Sequence, residues 1–167
     1  EGCRVCICSR NEQRLQEAKA TLSTIDNNVL TIQADILNDK EINGVMDQIE
    51  SLWGQLHILV NNVGGGGRWG KPIVEETPID TWREVYQKNA GAASLFTIRA
   101  IPLMRRAKWG RVVTVTSIYG KEDGGRPWFN MAKAAEISLM KTLALTPYLV
   151  RDGITFNCVA PGGIAIP

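Results

Sequence analysis

The strict alternation of strand-like and helix-like segments is the feature that most constrains the fold of this 167-residue chain. Strand-like segments are short and rich in Val, Ile and Leu, whereas helix-like segments repeat apolar residues every three or four positions. The predicted strands, in chain order, are 3–10, 28–36, 57–63, 111–118 and 154–160. The predicted helices are 11–23, 39–54, 80–107, with a bend expected near Pro102, and 127–153. This alternation predicts the α/β class, with a doubly wound parallel sheet covered by helices on both faces.

The composition is that of an ordinary soluble globular protein. Hydrophobic residues make up 44% of the chain, charged residues 22%, and the formal net charge is +2. So small a charge gives no reason to expect a nucleic-acid partner. No apolar run approaches the roughly 18 residues of a membrane helix, and no secretory signal peptide is visible. We therefore expect one cytoplasmic domain over residues 1–167, with no membrane partner.

The stretch "CRVCIC" places Cys3, Cys6 and Cys8 close together and invites a metal-site interpretation. Against it, Cys3 and Cys6 fall on opposite faces of a strand, because strand side chains alternate. No second ligand cluster exists in the sequence, since Cys158 lies alone and His57 is the only histidine. We expect buried, reduced core cysteines, no metal, and a structural role for His57.

Small and polar residues follow every predicted strand. In a parallel sheet the carboxyl ends of the strands share one edge, where ligands bind. The residues that follow the strands are Ser9-Arg10-Asn11, Asp35-Ile36, Asn61-Asn62-Val63-Gly64, Ser117-Ile118-Tyr119-Gly120 and Pro161-Gly162-Gly163. This pattern predicts a binding edge.

The run from Gly65 to Gly70 matches the pattern G-x-G-x-x-G, but its context is wrong for a dinucleotide fingerprint. That fingerprint needs a helix that begins directly on it, so that backbone N–H groups meet the pyrophosphate. Here no helix is predicted before about Asp80. We interpret the run as a mobile loop beside an active site.

Taken together, these residues resemble the motifs of the classical short-chain dehydrogenase/reductase family. The matching motifs are Asn61-Asn62-Val63-Gly64 for the family's Asn-Asn-Ala-Gly, Asn89 and Ser117 for its catalytic asparagine and serine, Phe129 and Lys133 in the frame of its Tyr-x-x-x-Lys, and Pro161-Gly162. The resemblance covers essentially the whole chain and is nearest to the 3-oxoacyl-carrier-protein reductase type. It implies a Rossmann-like fold and an oxidoreductase that interconverts a ketone and a secondary alcohol, with a 3-oxoacyl group as one candidate for the ketone.

The resemblance also implies a role for each catalytic position. Ser117 would hydrogen-bond the substrate oxygen, Asn89 would hold a water, and Lys133 would lower the pKa of the family tyrosine and bind the nicotinamide ribose. Phe129 stands in place of that tyrosine and has no exchangeable proton. The hypothesis is a catalytically crippled form, either engineered or a natural pseudoenzyme. Two alternatives are that Tyr119 replaces the phenol, or that Phe129 and Lys133 are only a core ring and a solvated lysine.

Within this family, the residues after the strand 3–10 predict NADP(H) rather than NAD(H) as the cofactor. No acid follows the strand 3–10, where a carboxylate would bind a ribose 2′-OH, and Arg10 can instead pair with a 2′-phosphate. The alternative is that Arg10 is only a solvated charge. By the resemblance, the candidate cofactor-binding residues are Ser9, Arg10, Asp35 and Ile36 at the adenosine end and Asn61, Gly64 and Lys133 at the nicotinamide end, together with Pro161 and Gly162.

Two further expectations follow from the resemblance. The family's first strand, its Gly-rich turn and its substrate lid have no counterpart in the sequence, so we expect an incomplete domain and a longer polypeptide. We also expect a homodimer or homotetramer through the helices 80–107 and 127–147, acting on a small-molecule carbonyl or alcohol substrate. The rival hypotheses are a cofactor-binding pseudoenzyme and a non-catalytic fragment.

Overall fold

The computed structural model describes residues 2–25 and 28–164. They belong to two units, Glu1–Gly54 and Gln55–Pro167, and each is described by itself. All strand pairs in the described part of the chain are parallel, and helices alternate with the strands. The predicted α/β fold is thereby confirmed. The prediction of a single domain over 1–167, which includes residues 1, 26–27 and 165–167 outside the described part, stays a prediction.

The first unit is a pair of parallel strands with two helices. Its elements are β1 (Val5–Ser9), α1 (Glu12–Ser23), β2 (Val29–Gln33) and α2 (Asp39–Trp53). The register runs from Val5 opposite Val29 to Ser9 opposite Gln33, so both strands end at one edge. Asn11 caps α1 by accepting a hydrogen bond from the N–H of Arg14.

The apolar stripe of α2 forms the core of this unit. Ile42, Val45, Met46 and Ile49 recur every three or four residues, and all four are buried. Beyond the helix, Gly54 adopts a left-handed conformation with φ of 69° and donates its N–H to the carbonyl of Glu50. A side chain at this φ would strain the backbone, which explains why the helix ends on a glycine.

The second unit is a three-stranded parallel sheet with strand order β3-β4-β5. Its strands are β3 (Ile58–Asn61), β4 (Gly110–Val115) and β5 (Ile154–Val159). Its α-helices are α3 (Ile79–Tyr86), α4 (Ala92–Ala107), α5 (Pro127–Ala144) and α6 (Pro147–Arg151). Short 3₁₀ turns cover Val74–Glu76 and Ile118–Gly120. Within the described residues, no helix is long and apolar enough to cross a membrane.

Both long predicted helices differ from the structure. The first is interrupted by a π-helical turn over Gln87–Gly91, and it then runs on through Pro102. The second ends at Ala144, and a separate short helix begins at Pro147. Proline lacks an N–H and disfavours helical backbone at the preceding residue, which accounts for the second break.

The cysteines are less buried than predicted. Cys3 and Cys158 are exposed and Cys6 and Cys8 are half-buried, although all four are free, as expected. Burial, with a smaller contribution from Cys8, raises the pKa of Cys6 to about 12. Because metals bind the thiolate, a neutral thiol at this position is a poor ligand. Among the described residues, no group of three or more His, Cys, Asp or Glu side chains could hold a metal ion.

Candidate active site

In the first unit, the predicted adenosine contacts lie at the carboxyl ends of β1 and β2. The side chain of Arg10 is 58% exposed, and its Nη1 lies 3.8 Å from Oδ2 of Asp35. Asp35 also accepts a hydrogen bond through Oδ1 from the N–H of Leu37. The hydroxyl of Ser9 accepts from the N–H of Asn11, and Ile36 is buried. Arg10 is therefore a largely exposed cation that lies within ion-pair distance of the Asp35 carboxylate.

In the second unit, Asn89 anchors the glycine-rich loop that follows β3. This residue is fully buried and lies in the π-helical turn, a distortion that is frequent at functional sites. Its Oδ1 accepts a hydrogen bond from the N–H of Gly65 at 3.1 Å. Its Nδ2 donates to the carbonyls of Gly65 at 2.9 Å and Val85 at 2.7 Å. The loop predicted to be mobile is thus tied to a buried side chain at its start.

The position of Gly64 shows how closely the loop approaches Asn89 and Lys133. A Cβ at Gly64 would lie 2.6 Å from Oδ1 of Asn89 and 3.1 Å from Nζ of Lys133. Only glycine fits there, because the first of these contacts is shorter than packed atoms tolerate. Both side chains therefore converge on one point beneath the loop, and the structure brings together three of the predicted site residues.

The turns after β4 and β5 lie side by side. The Ser117 hydroxyl accepts a hydrogen bond from the N–H of Tyr119, and the N–H of Ile118 donates to the carbonyl of Pro161 at 3.0 Å. A Cβ at Gly120 would lie 2.9 Å from the carbonyl carbon of Lys133, so the turn after Ser117 packs directly on α5. Gly162 is exposed, and a Cβ built there would have none of the described atoms within 4 Å.

Asn61 has a packing function that the sequence did not suggest. It is buried at the end of β3, and its Nδ2 donates to the hydroxyls of Thr97 and Thr114, each at 3.1 Å. These two bonds tie β3 to α4 and β4. Both amide N–H groups are thereby used within the protein, and a contact between Asn61 and a cofactor stays a prediction.

Phe129 lies at the start of α5 with its ring beneath the loop. A Cβ at Gly67 would lie 3.3 Å from Cδ1 of the ring, so the loop backbone rests on it. The Nζ of Lys133 lies 5.8 Å from the ring centroid, one helical turn further along. Lys133 is only 4% exposed, which rules out the alternative that it is a solvated lysine.

Lys133 forms a buried ion pair with Glu136, a residue that our sequence analysis missed. Its Nζ lies 2.9 Å from Oε2 and 3.2 Å from Oε1 of Glu136, and it donates to the carbonyl of Val115 at 3.0 Å. Glu136 is 1% exposed. Burial raises the pKa of the Glu136 carboxyl, and the Lys133 charge opposes that rise. Opposite charges three residues apart on a helix share a face, so the spacing alone could have identified the pair.

The ion pair generates a stability prediction. Lys133→Met alone and Glu136→Leu alone each leave an uncompensated buried charge, which costs about 3–5 kcal/mol of unfolding free energy. The Lys133→Met/Glu136→Leu double variant buries no charge, so it should lose less stability than either single variant. Urea denaturation of the four proteins measures this coupling.

The matched control is the exposed pair Asp80–Arg83, which has the same three-residue spacing and an Oδ1–Nη1 distance of 2.9 Å. Replacing either partner of that pair should change stability little, because solvent screens exposed ion pairs. Strictly additive effects of the Lys133 and Glu136 substitutions would show that the two side chains do not interact.

Comparison with known proteins places these motifs in a family. The family model for short chain dehydrogenases matches residues 1–167. A cyclohexanol dehydrogenase of Rhodococcus sp. (strain TK6) is 35% identical over 150 residues, which cover 81% of this chain and 51% of the relative. A 3-oxoacyl-[acyl-carrier-protein] reductase of Synechocystis sp. (strain ATCC 27184 / PCC 6803 / Kazusa) is 30% identical over 142 residues, 81% of this chain and 53% of the relative. The chain thus spans about half the length of these two relatives.

Solved structures agree with this assignment. The Pseudomonas aeruginosa RhlG/NADP active-site complex is 28% identical with a TM-score of 0.86, over 98% of this chain and 64% of that one. An NAD⁺-bound xylitol dehydrogenase matches in fold, with a TM-score of 0.84 over 94% of this chain and 59% of that one, at 24% identity. The geometry around Asn89, Ser117 and Lys133 and the match over every residue of the sequence lead to one conclusion: the chain belongs to the short chain dehydrogenase family of oxidoreductases.

Proposed function

We propose that the protein is an NADP(H)-dependent oxidoreductase that interconverts a ketone and a secondary alcohol, with proton transfer impaired at Phe129. The observation that carries the proposal is the buried Lys133 ammonium 5.8 Å from the centre of a ring that has no hydroxyl. Names of relatives support the substrate class, since one is a cyclohexanol dehydrogenase and another a 3-oxoacyl reductase. A homodimer or homotetramer is proposed on the same family grounds.

Each of the two units offers a charged donor of the type that binds a nicotinamide dinucleotide. Phosphates and ribose hydroxyls accept hydrogen bonds, and the exposed Arg10 guanidinium and the Lys133 ammonium offer charged donors. In the proposal, Arg10 holds a 2′-phosphate, Asp35 accepts from the adenine amino group, and Lys133 binds the nicotinamide ribose. The other proposed contacts are Ser9, Ile36, Asn61, Gly64, Pro161 and Gly162. When bound, the nicotinamide supplies or accepts the hydride.

The residues of the chain itself would polarise the substrate but lack the final acid. The Ser117 hydroxyl would donate a hydrogen bond to the carbonyl oxygen, and the Asn89 region would hold a water. As that oxygen gains negative charge, no phenol is present from which it could accept a proton. Positioned general acids contribute about 10²–10⁴ in rate, so the proposed impairment is of that size.

A cofactor-binding pseudoenzyme is the second candidate, and Phe129 itself favours it. Such a protein would keep the fold and the charged contacts without turnover. The two candidates differ in whether the rest of the site is still competent once the phenol is restored.

The Phe129→Tyr variant tests this difference. Because the phenol supplies the missing proton, the variant should gain about 10²-fold or more in turnover over the wild type. Oxidation of NADPH in the presence of cyclohexanone or of a 3-oxoacyl thioester, followed by the loss of NADPH absorbance, measures the gain. Phe129→Leu is the control, because it changes the ring without adding a proton donor. A variant that binds NADPH yet gains nothing would favour the pseudoenzyme.

Cofactor preference provides a separate test at Arg10. A charge-assisted hydrogen bond is worth about 1.5–3 kcal/mol, so Arg10→Ala should weaken NADPH binding about 10- to 100-fold and leave NADH binding unchanged. Fluorescence titrations with the two cofactors measure the ratio of dissociation constants. Arg14→Ala, which removes another exposed arginine of the same unit, should leave this ratio alone. Equal losses for both cofactors would contradict a 2′-phosphate contact.

A further inference from the structure

We propose that Glu136 is a positioning residue that binds and neutralises the Lys133 ammonium. The site would then lack two features that proton transfer requires, namely the phenol at position 129 and an uncompensated ammonium beside it. The inference rests on the proposed function for what Lys133 would do, but its test uses no cofactor and no turnover. Glu136 and Phe129 both belong to α5, and almost two helical turns separate them.

Glu136 takes one of the hydrogen-bond donors of Lys133. A lysine ammonium has three N–H groups that point in tetrahedral directions. Within the described residues, Nζ donates to the Val115 carbonyl at 3.0 Å and lies 3.2 and 2.9 Å from the two oxygens of the Glu136 carboxylate. These two oxygens lie in nearly the same direction from Nζ, so they share one N–H, and one N–H is left for the proposed ribose contact. Glu136 therefore leaves Lys133 able to donate to a ribose hydroxyl but places a carboxylate directly beside its charge.

The charge of the pair matters as much as its donors. Both side chains are almost completely buried, so water screens neither of them. A lone ammonium beside a phenol favours the phenolate and lowers the phenol pKa by about 1–3 units. With a carboxylate 2.9 Å from Nζ, the pair is electrically neutral, and its field at the phenol position is that of a dipole. Restoring the tyrosine alone would therefore supply a proton donor whose pKa Lys133 lowers little, so the gain in turnover should lie at the low end of the range of about 10²–10⁴ for general acids.

Other charged groups near Glu136 do not replace Lys133 as its partner. Cys158 on β5 is close enough for the Glu136 charge to raise its pKa, although burial of the thiol contributes more and Lys121 opposes the rise. Such a thiol is neutral near pH 7 and gives Glu136 no counter-charge. Lys121 lies in the exposed turn after Gly120, and its interaction is with Cys158. Glu136 thus has one buried cationic partner among the described residues, Lys133.

The test is an alkaline titration of the phenol introduced by Phe129→Tyr, followed by tyrosinate absorbance in the absence of cofactor. The wild type has three tyrosines, so its titration curve, subtracted from that of the variant, isolates the new phenol. Adding Glu136→Gln removes the neutralising charge, and the phenol pKa should fall by about 1–3 units relative to Phe129→Tyr alone. An unchanged pKa would overturn the role of Glu136. Glu122→Gln, which neutralises an exposed acid in the preceding loop, should not move the pKa.

A second variant keeps the test decisive if Glu136→Gln fails to fold. The Phe129→Tyr/Lys133→Met/Glu136→Leu protein replaces the whole ion pair by apolar side chains and buries no charge. If Glu136 cancels the effect of the Lys133 charge on the phenol, the phenol pKa in this protein should equal that in the Phe129→Tyr single variant. A rise of about 1–3 units would mean that the ammonium had been acting uncompensated, and would overturn the proposal.

These outcomes are separate from those for the proposed function. Absence of NADPH binding would contradict the proposed cofactor site and leave the phenol titration unaffected. Equal phenol pKa values with and without Glu136 would contradict only the role of Glu136.

Discussion

The interaction on which the second unit depends is the buried ammonium of Lys133 at the carboxyl end of β4. Its bond to the Val115 carbonyl ties α5 to the central strand of the sheet. Its Nζ also lies directly beneath the backbone of Gly64, so the loop after β3 is packed against it. A cation in this position requires a partner, because an isolated buried charge is strongly destabilising. Glu136 supplies that partner, and this places an acid at the centre of the candidate site.

Two residues together define the chemical character of this site. Phe129 keeps the shape of an aromatic ring between the glycine-rich loop and α5 while removing the group that could exchange a proton. Glu136 places a carboxylate against the buried Lys133 ammonium and accepts a hydrogen bond from it. The first change leaves packing intact, since the ring volume is nearly conserved. The second puts a negative charge beside the ammonium. In the proposed reaction, both would act on the same step, the movement of a proton at the substrate oxygen.

Much of the fold and part of the site could be predicted from the sequence. The alternation of strands and helices gave the parallel α/β class, and the residues after each strand gave the positions of Ser117 and Pro161. Pro147 could have predicted the end of the helix, but the apolar pattern continues on both sides of it, so that pattern predicts one helix over 127–153. The π-helical turn at Asn89 could not be predicted, because it depends on hydrogen bonds to a loop 24 residues away. The packing function of Asn61 likewise depends on threonines that are distant in the sequence.

Glu136 was missed for a different reason. An acid three residues after a lysine on a helix is usually a solvated surface pair, and only burial distinguishes this one. Burial in turn depends on β5 and the turn after Ser117 packing on α5, which are tertiary features. Local spacing predicts which charged side chains can form a pair, whereas the packing of the surrounding elements determines whether that pair is buried.

The measurement that tests the central claim most directly is a fluorescence titration of the wild-type protein with NADPH, combined with a turnover assay on the same sample. The account predicts saturable binding of NADPH with little or no oxidation of it in the presence of a ketone. Rapid turnover with Phe129 in place would contradict the claim that the site lacks its proton donor. Absence of any binding would contradict the claim that this chain keeps a nicotinamide cofactor site.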